Sequence, residues 1–270
     1  MCYKPDIKII VATHKSYWMP SDPMYLPLQV GACGSTKDLG LQKDDTGVNI
    51  SSKNSNYCEL TGLYWAWKNI KADYIGLAHY RRHFSYRGAH GGKKDRILDT
   101  DKARELVQKA DIILPTPRNY VIETNYSQYA HAHHAIDLDM TREIIGEKYP
   151  EYINAYDISM KSTRGHKFNM FIMRYDRFCE YCSWLFDILF ELEKHLDISS
   201  YSTNDARVFG FVSEWLLDIW IMTNHYYYLD TPYVFMDKQN WLIKGSRFVG
   251  RKIRAIGSDF SRELRGQLDR

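Results

Sequence analysis

The chain has 270 residues, 44% of them apolar and 26% charged, enough to bury a continuous core and too apolar for a disordered, collagenous or disulfide-stapled chain. A net charge of +3 gives the chain as a whole little attraction for phosphate, which argues against nucleic acid as its partner. The charge is uneven: residues 244–270 carry a net +5 and the remainder a net −2, so the expected organisation is a domain over 1–243 followed by a basic tail over 244–270.

No stretch reaches the ~18 to 20 uncharged apolar residues of a membrane span, and the N-terminus lacks a signal-peptide pattern, so the chain is expected to be cytoplasmic. Five cysteines (Cys2, Cys33, Cys58, Cys179, Cys182) show no repeated pairing and read as reduced core thiols. Aromatic residues make up 14% of the chain, with 21 Tyr and 7 Trp, a richness that suits the presentation of rings to a ligand.

In chain order, Lys8-Ile-Ile-Val-Ala-Thr13 is a β-branched run ending in polar residues, the pattern of a buried first strand that opens into a loop. The Gly-, Pro- and Asp-rich stretch that follows, up to Asn49, is too broken for regular elements and reads as a long site-lining loop. From Asn56 the pattern turns helical to about Lys71, with Asn56 and Glu59 as a capping pair. A second strand over 72–78 runs into His79-Tyr-Arg-Arg-His-Phe84. A helix over 101–110 then leads to a third strand over 111–114, halted by Pro115 and Pro117. This βαβαβ rhythm predicts an α/β domain with a mostly parallel central sheet. Beyond it come a Tyr/His-rich segment over 126–139, a helix over 141–149, a strand over 167–173, amphipathic helices over 177–195 and 205–224, and a last strand over 226–229. In the tail, Val249, Ile253, Ile256, Phe260, Leu264 and Leu268 recur at three and four, which predicts either a basic amphipathic helix that folds on an anionic membrane surface or a C-terminal helix packed on the body or on a second copy.

Two constellations carry chemistry. Two guanidiniums and two imidazoles at one strand end (His79, Arg81, Arg82, His83) repel one another unless an anion satisfies them, and Arg offers bidentate geometry to a diphosphate; ion pairing to acids elsewhere in the fold is the competing reading. His131, His133 and His134 form the other. On a helix, positions 131 and 133 point about 200° apart, and no carboxylate sits at ligand spacing, so hydrogen bonding to a sugar or phosphate by His133 outweighs a metal site. Glu214, within an apolar helix, is either a general base with a raised pKa or a solvated face residue. Asn169 is a strand-edge amide or a sugar contact. Asn54 and Tyr57 lie near the first helix, where capping and packing compete with a ligand role; Trp65 reads as core. Thr13 and His14, at the end of the first strand, flank the place where a nucleotide would sit.

The ordered blocks Ile9-Ile-Val-Ala-Thr-His14, Asn49-Ile-Ser-x-Lys-Asn54, Tyr57-Cys-Glu-Leu-Thr-Gly-Leu-Tyr-Trp65, Tyr74-Ile-Gly-Leu-x-His-Tyr-Arg-Arg-His-Phe84, Asn169-Met-Phe-Ile-Met173 and Phe209-Gly-Phe-x-Ser-Glu214 resemble a bacterial family of capsular and exopolysaccharide synthesis glycosyltransferases. The resemblance spans residues 6 to 243. It implies a GT-A-like (Rossmann-like) fold, a UDP-sugar donor, and transfer of a hexose, in some relatives galactofuranose or galactose, to a growing capsular, exopolysaccharide or O-antigen glycan or a lipid-linked oligosaccharide; the tail, outside the resemblance, is what would hold the chain at the inner face of the membrane. It also implies that His79-Tyr80-Arg81 stands where such enzymes carry Asp-x-Asp, which favours a metal-independent reaction over one that needs Mn²⁺ or Mg²⁺. The implied roles place Asn54, Tyr57, His79, Arg81 and Arg82 on the donor, His133 and Asn169 on a sugar, and Glu214 as the base. A non-catalytic glycan-binding module and a His-cluster metal hydrolase are the competing functions.

Overall fold

The computed structural model describes residues 4–237 of the chain. In chain order these form β1 (Ile7–Thr13), β2 (Tyr25–Gln29), β3 (Gln42–Lys43), α1 (Asn54–Tyr57), α2 (Leu60–Asn69), β4 (Tyr74–His79), β5 (Arg82–Phe84), α3 (Thr100–Val107), β6 (Ile112–Pro115), β7 (Arg118–Asn119), α4 (Asn125–Ala132), α5 (Ala135–Lys148), α6 (Ile153–Lys161), β8 (Arg164–Gly165), β9 (Phe171–Arg174), α7 (Tyr175–His195), α8 (Val208–Thr223), β10 (Leu229–Thr231) and β11 (Tyr233–Phe235). The sheet runs β10-β6-β9-β4-β1-β2-β3, with β5 and β11 pairing as a ribbon off β4. All pairings along this path are parallel except those of β9, which is antiparallel to both β4 and β6.

The apolar run of β1 is continuous because both faces of the sheet are covered. Ile10 and Ala12 point into the larger core, where α2 and α5 to α8 pack; Ile9 and Val11 alternate to the other face, where α3 packs through Ala103 and Val107. The mostly parallel α/β domain expected from the sequence is therefore what forms. No helix among the described residues is long and apolar enough to cross a membrane. The basic segment 244–270 and its proposed amphipathic helix lie outside the described residues.

Several local expectations are corrected. The broken stretch before Asn49 contains β2 and β3. Val30 N–H donates to Thr13 O, so the even-numbered amides of β2 face β1 and Pro27 faces the other way. On that side β3 begins only opposite Leu28, so the missing proline donor costs no ladder bond. The loop beyond is tied by Asp44, fully buried, whose carboxylate accepts from Gly31 N–H, Ala32 N–H and the hydroxyls of Ser51 and Thr61. The helix expected from Asn56 is two helices, because Cys58 adopts φ 52° and breaks it. Asn56 is no cap: its Nδ2 donates to Ala206 O. The strand expected over 167–173 starts at Phe171, the strand expected over 226–229 is β10, beginning at Leu229, and β11 follows it. Residues 153–161, left unassigned by pattern, are α6. Of the cysteines expected in the core, Cys182 is buried, but Cys33 is exposed.

Gly76, at the centre of β4, is paired with Ile9 of β1 on one side and Ile172 of β9 on the other. A Cβ there would stand 2.8 Å from the Phe171 carbonyl oxygen and 3.0 Å from Ile172 Cγ1. Backbone on that side cannot rotate away, so Gly76→Ala is expected to destabilise the domain by about 1–3 kcal/mol, read as a lower urea midpoint with an unchanged slope.

Candidate active site at the carboxyl edge of the sheet

The chain leaves β1 for β2 and β3 on one side and returns to β4 on the other. Parallel strands that diverge in this way leave a crevice outside their carboxyl ends, the usual ligand position in open α/β sheets. A cleft of about 370 Å³ occupies that place, lined by Ala12 and His14 at the end of β1, Val30 after β2, Asn54, Ser55, Cys58 and Glu59 around the α1–α2 break, His79 and Arg81 at the end of β4, and Thr203 and Arg207 before α8. It brings together four residues expected from the sequence, His14, Asn54, His79 and Arg81, which are far apart in the chain.

The cleft is cationic. Arg81 has one carboxylate near it, Asp237 at 3.9 Å, and Arg207 Nε donates to Cys58 Sγ at 3.1 Å. Burial, reinforced by Arg82 and Arg81, lowers the His79 pKa to about 2, so the ring is neutral at any working pH. Its Nδ1 accepts from Arg81 N–H at 3.3 Å, which leaves the proton on Nε2, free to donate. Burial likewise lowers the His14 pKa, and the neighbouring cations Lys15, Arg81 and Arg207 add to it. Two guanidiniums and neutral imidazole donors converging on one cleft form a site for a polyanion. The Cys58 thiol, pushed up to about 11 by burial, is no nucleophile there.

Beside the cations lies a carboxylate pair. Because β9 is antiparallel to β4, its N-terminal approach, Lys167-Phe168-Asn169, reaches the same edge as the carboxyl end of β4. Phe168 and Asn169 adopt φ 78° and 54° in succession, a strained conformation for side-chain-bearing residues that needs support from its surroundings. Asn169 is held by donating Nδ2 to Glu59 Oε1 at 2.9 Å and to Gly210 O, while its Oδ1 accepts from Ser213 Oγ. The amide expected to touch a sugar is thus occupied in fixing Glu59 against the start of α8. Gly210 permits this contact: a Cβ there would lie 3.2 Å from Cys58 Cβ and Sγ. Glu214, one turn further along α8, is half-buried. Burial raises its pKa, Lys167 and Arg82 oppose that rise, and Glu59 adds to it. Arg82 faces this pair rather than the cleft, with its guanidinium 4.2 Å from the Phe168 ring centroid.

Other expected residues lie elsewhere. Thr13 is buried, its Oγ1 closing a turn by donating to Lys15 O. Tyr57 is fully buried, stacked on Phe209 at 4.6 Å with its hydroxyl on Leu189 O and Glu193, so it packs α1 against α7 and α8 away from the cleft. Asn54, although on the cleft wall, spends its Nδ2 on Cys58 O and Thr61 Oγ1. His83 is a core histidine whose pKa burial lowers to about 4. The three histidines after Tyr129 disperse: His131 takes Glu123, while His133 and His134 face Asp205. His133 stacks on Phe211 at 4.3 Å, and Phe211 in turn lies under Arg207 at 5.0 Å, so His133 supports the cleft wall from behind.

Among the described residues no three His, Cys, Asp or Glu side chains are grouped to hold a metal. At the end of β4, where the resemblance implies that related enzymes carry a metal-binding Asp-x-Asp, stand the neutral His79 and Arg81, and a guanidinium is no ligand for a divalent cation. The residues missed by sequence reading are Glu59, Cys58, Arg207 and Lys167. Glu59 resembled a helix cap, and Arg207 fell in the first turn of the helix expected over 205–224, which begins only at Val208, so nothing local marked either one.

The family described as a domain of unknown function (DUF4422) matches residues 8–225. Among solved structures, the apo structure of WbbM, a bifunctional glycosyltransferase, is similar with a TM-score of 0.79 and 30% identity, over 86% of this chain and 46% of WbbM. The chain thus spans about half the length of that relative. None of the curated proteins matches the chain.

Next to the carboxylate pair, His166 is 5% exposed and bridges two aspartates, Nδ1 to Asp218 and Nε2 to Asp230 at 2.9 Å. Burial works against its charged form, but the hydrogen bonds and charges of Asp218 and Asp230 overcome it, so its pKa lies above the ordinary 6.5. The stabilisation is fully present below that ordinary value and is lost as pH rises through the raised folded value. Lys167, lowered to about 7 by burial, works in the opposite direction at higher pH, so the contribution of His166 is isolated by comparison with a variant. The stability gap between the native chain and His166→Gln, measured by urea unfolding, is expected to be constant below the ordinary histidine value and to shrink as pH rises above it.

Proposed function

The chain belongs to the DUF4422 family, and we propose that it is a nucleotide-sugar-dependent glycosyltransferase, moving a hexose, galactose or galactofuranose, from a UDP-sugar to a hydroxyl of a growing capsular, exopolysaccharide or O-antigen glycan. The observation that carries this reading is the cationic cleft at the switch point between β1 and β4, with a carboxylate pair on its flank. A cleft that holds a diphosphate beside a base is what sugar transfer from a nucleoside diphosphate requires. The similarity to WbbM supports the same class of reaction.

In this reading Arg81, Arg207 and the Nε2–H of His79 hold the diphosphate and stabilise the charge that grows on it as the bond from the anomeric carbon to the phosphate oxygen breaks. These fixed cations take the electrostatic part that a divalent ion plays elsewhere, and the reaction is expected to survive EDTA. Glu214 accepts the proton of the acceptor hydroxyl while its oxygen attacks the anomeric carbon from the opposite side, which inverts that centre. Glu59, clamped by Asn169, borders both halves. Docking on the inner face of an anionic membrane would bring the cleft to a lipid-linked acceptor.

Thermal shift across nucleotides is the primary test: a UDP-sugar at ~100 times its Kd adds ~2.7 kcal/mol to stability. Silence toward every nucleotide diphosphate together with intact glycan binding would assign the glycan-binding module instead. Arg81→Ala is expected to weaken donor binding by about 10- to 100-fold, the loss of a charge-assisted contact, with little change in folding. Glu214→Gln is expected to lower kcat by about 100-fold or more while donor affinity stays the same. Near-normal turnover in that variant would move the base to Glu59. Asp205 and Asp157 are poorer candidates, being engaged by His133 and by Arg142.

A further inference from the structure

Lys167 is 3% exposed, and its Nζ has no hydrogen-bond partner among the described residues. The ammonium sits 2.6 Å from the ring centroid of Trp215, the residue next to Glu214 on α8. Bare backbone covers it: a Cβ on Gly165 would lie 3.5 Å from Nζ and 3.0 Å from Asp218 Oδ2. Asp218 is committed to His166, accepting from both its backbone N–H at 2.8 Å and its ring. The remaining carboxylate acting on Lys167 is Glu214, and Arg118 opposes it from β7.

The surroundings of Glu214 come from five elements. Lys167 and the backbone N–H of Phe168 face it from the approach to β9, Arg82 from β5, and Glu59 from the start of α2. Arg207 and Cys58 feel its charge from the cleft side, as does Tyr120 from beyond β7. Burial and Glu59 favour the neutral acid; Lys167, Arg82 and the Phe168 amide favour the carboxylate.

We propose that Lys167 is a positioning residue that keeps Glu214 ionised, so that it meets the acceptor hydroxyl as a proton acceptor; this rests on the reading of Glu214 as the base. A buried ammonium without a hydrogen-bonded counter-ion is costly to hold, and its place on the Trp215 face beside a base gives that cost a purpose. The two groups titrate as a pair: protonating Glu214 removes the charge that steadies Lys167, and deprotonating Lys167 removes the charge that holds Glu214 ionised. His166, locked between two aspartates on the preceding residue, keeps the segment from swinging the ammonium away.

The test follows the Glu214 carboxyl directly, by ¹³C-glutamate NMR titration of the full chain, with the resonance assigned through Glu214→Gln. In Lys167→Met, which preserves side-chain volume and removes the charge, the Glu214 midpoint is expected to rise by about one pH unit or more. In Lys167→Arg, which retains a fixed charge, it should stay at or below the native value. An unmoved midpoint in Lys167→Met overturns the proposal. Should that variant fail to fold, a midpoint that rises in Lys167→Arg overturns it as well, and one that stays or falls supports it. The pH profile of kcat/KM with UDP-galactose as donor adds a second readout: the acid limb of Lys167→Met is expected to move up with the NMR midpoint, and an equal loss at all pH values marks a merely structural role. If Glu214→Gln keeps full turnover while the NMR midpoint still depends on Lys167, the base assignment has failed and the charge coupling has not.

Discussion

The reversed direction of β9 is the constraint from which the site follows. Inserted between β4 and β6 and antiparallel to both, it delivers its N-terminal approach, rather than its end, to the edge where the parallel strands finish. A parallel strand in that position would place its outgoing loop there and a helix close behind. Instead the edge receives Lys167 followed by Phe168 and Asn169 in successive left-handed conformations, with His166 clamped immediately before them. Glu59 is oriented, Glu214 is desolvated and Lys167 is buried because that segment packs against the first two turns of α8.

The edge divides electrostatically. On the β1 side, His14, His79, Arg81 and Arg207 surround a cleft whose wall carries, among the described residues, the acid Glu59; on the β9 side, Glu59 and Glu214 are met by Arg82 and Lys167. Glu59 belongs to both. Its link to Asn169 couples the α1–α2 break to the turn before β9, so the two halves hold a common geometry. The neutral His79 ring, kept uncharged by burial and accepting at Nδ1, leaves its Nε2–H to donate without adding to the repulsion between neighbouring guanidiniums.

The structure also separates residues that the sequence places in one cluster. In His79-Tyr80-Arg81-Arg82-His83, alternation along a strand and its turn sends His79 and Arg81 into the cleft, Arg82 toward Glu214, and His83 into the core between Trp18 and Tyr25. Adjacent charges therefore need no common ligand. The three histidines at 131, 133 and 134 divide in the same way between Glu123 and Asp205.

From sequence alone the α/β class, the buried β1 and β4, the long helices α7 and α8, and the strand end carrying His79 and Arg81 were legible, because each is a local pattern of apolar period or charge density. Glu214 stood out for the same reason, as an acid inside an apolar helix. What only tertiary structure decided was direction and pairing. The antiparallel setting of β9 leaves no trace in its composition, and Tyr57, His83 and Asn169 proved to be packed or hydrogen-bonded because partners more than 40 residues away reach them. Glu59, Arg207 and Lys167 join the site through contacts made across the fold, and a polar residue in a turn or cap position looks the same in sequence whether or not such a contact awaits it.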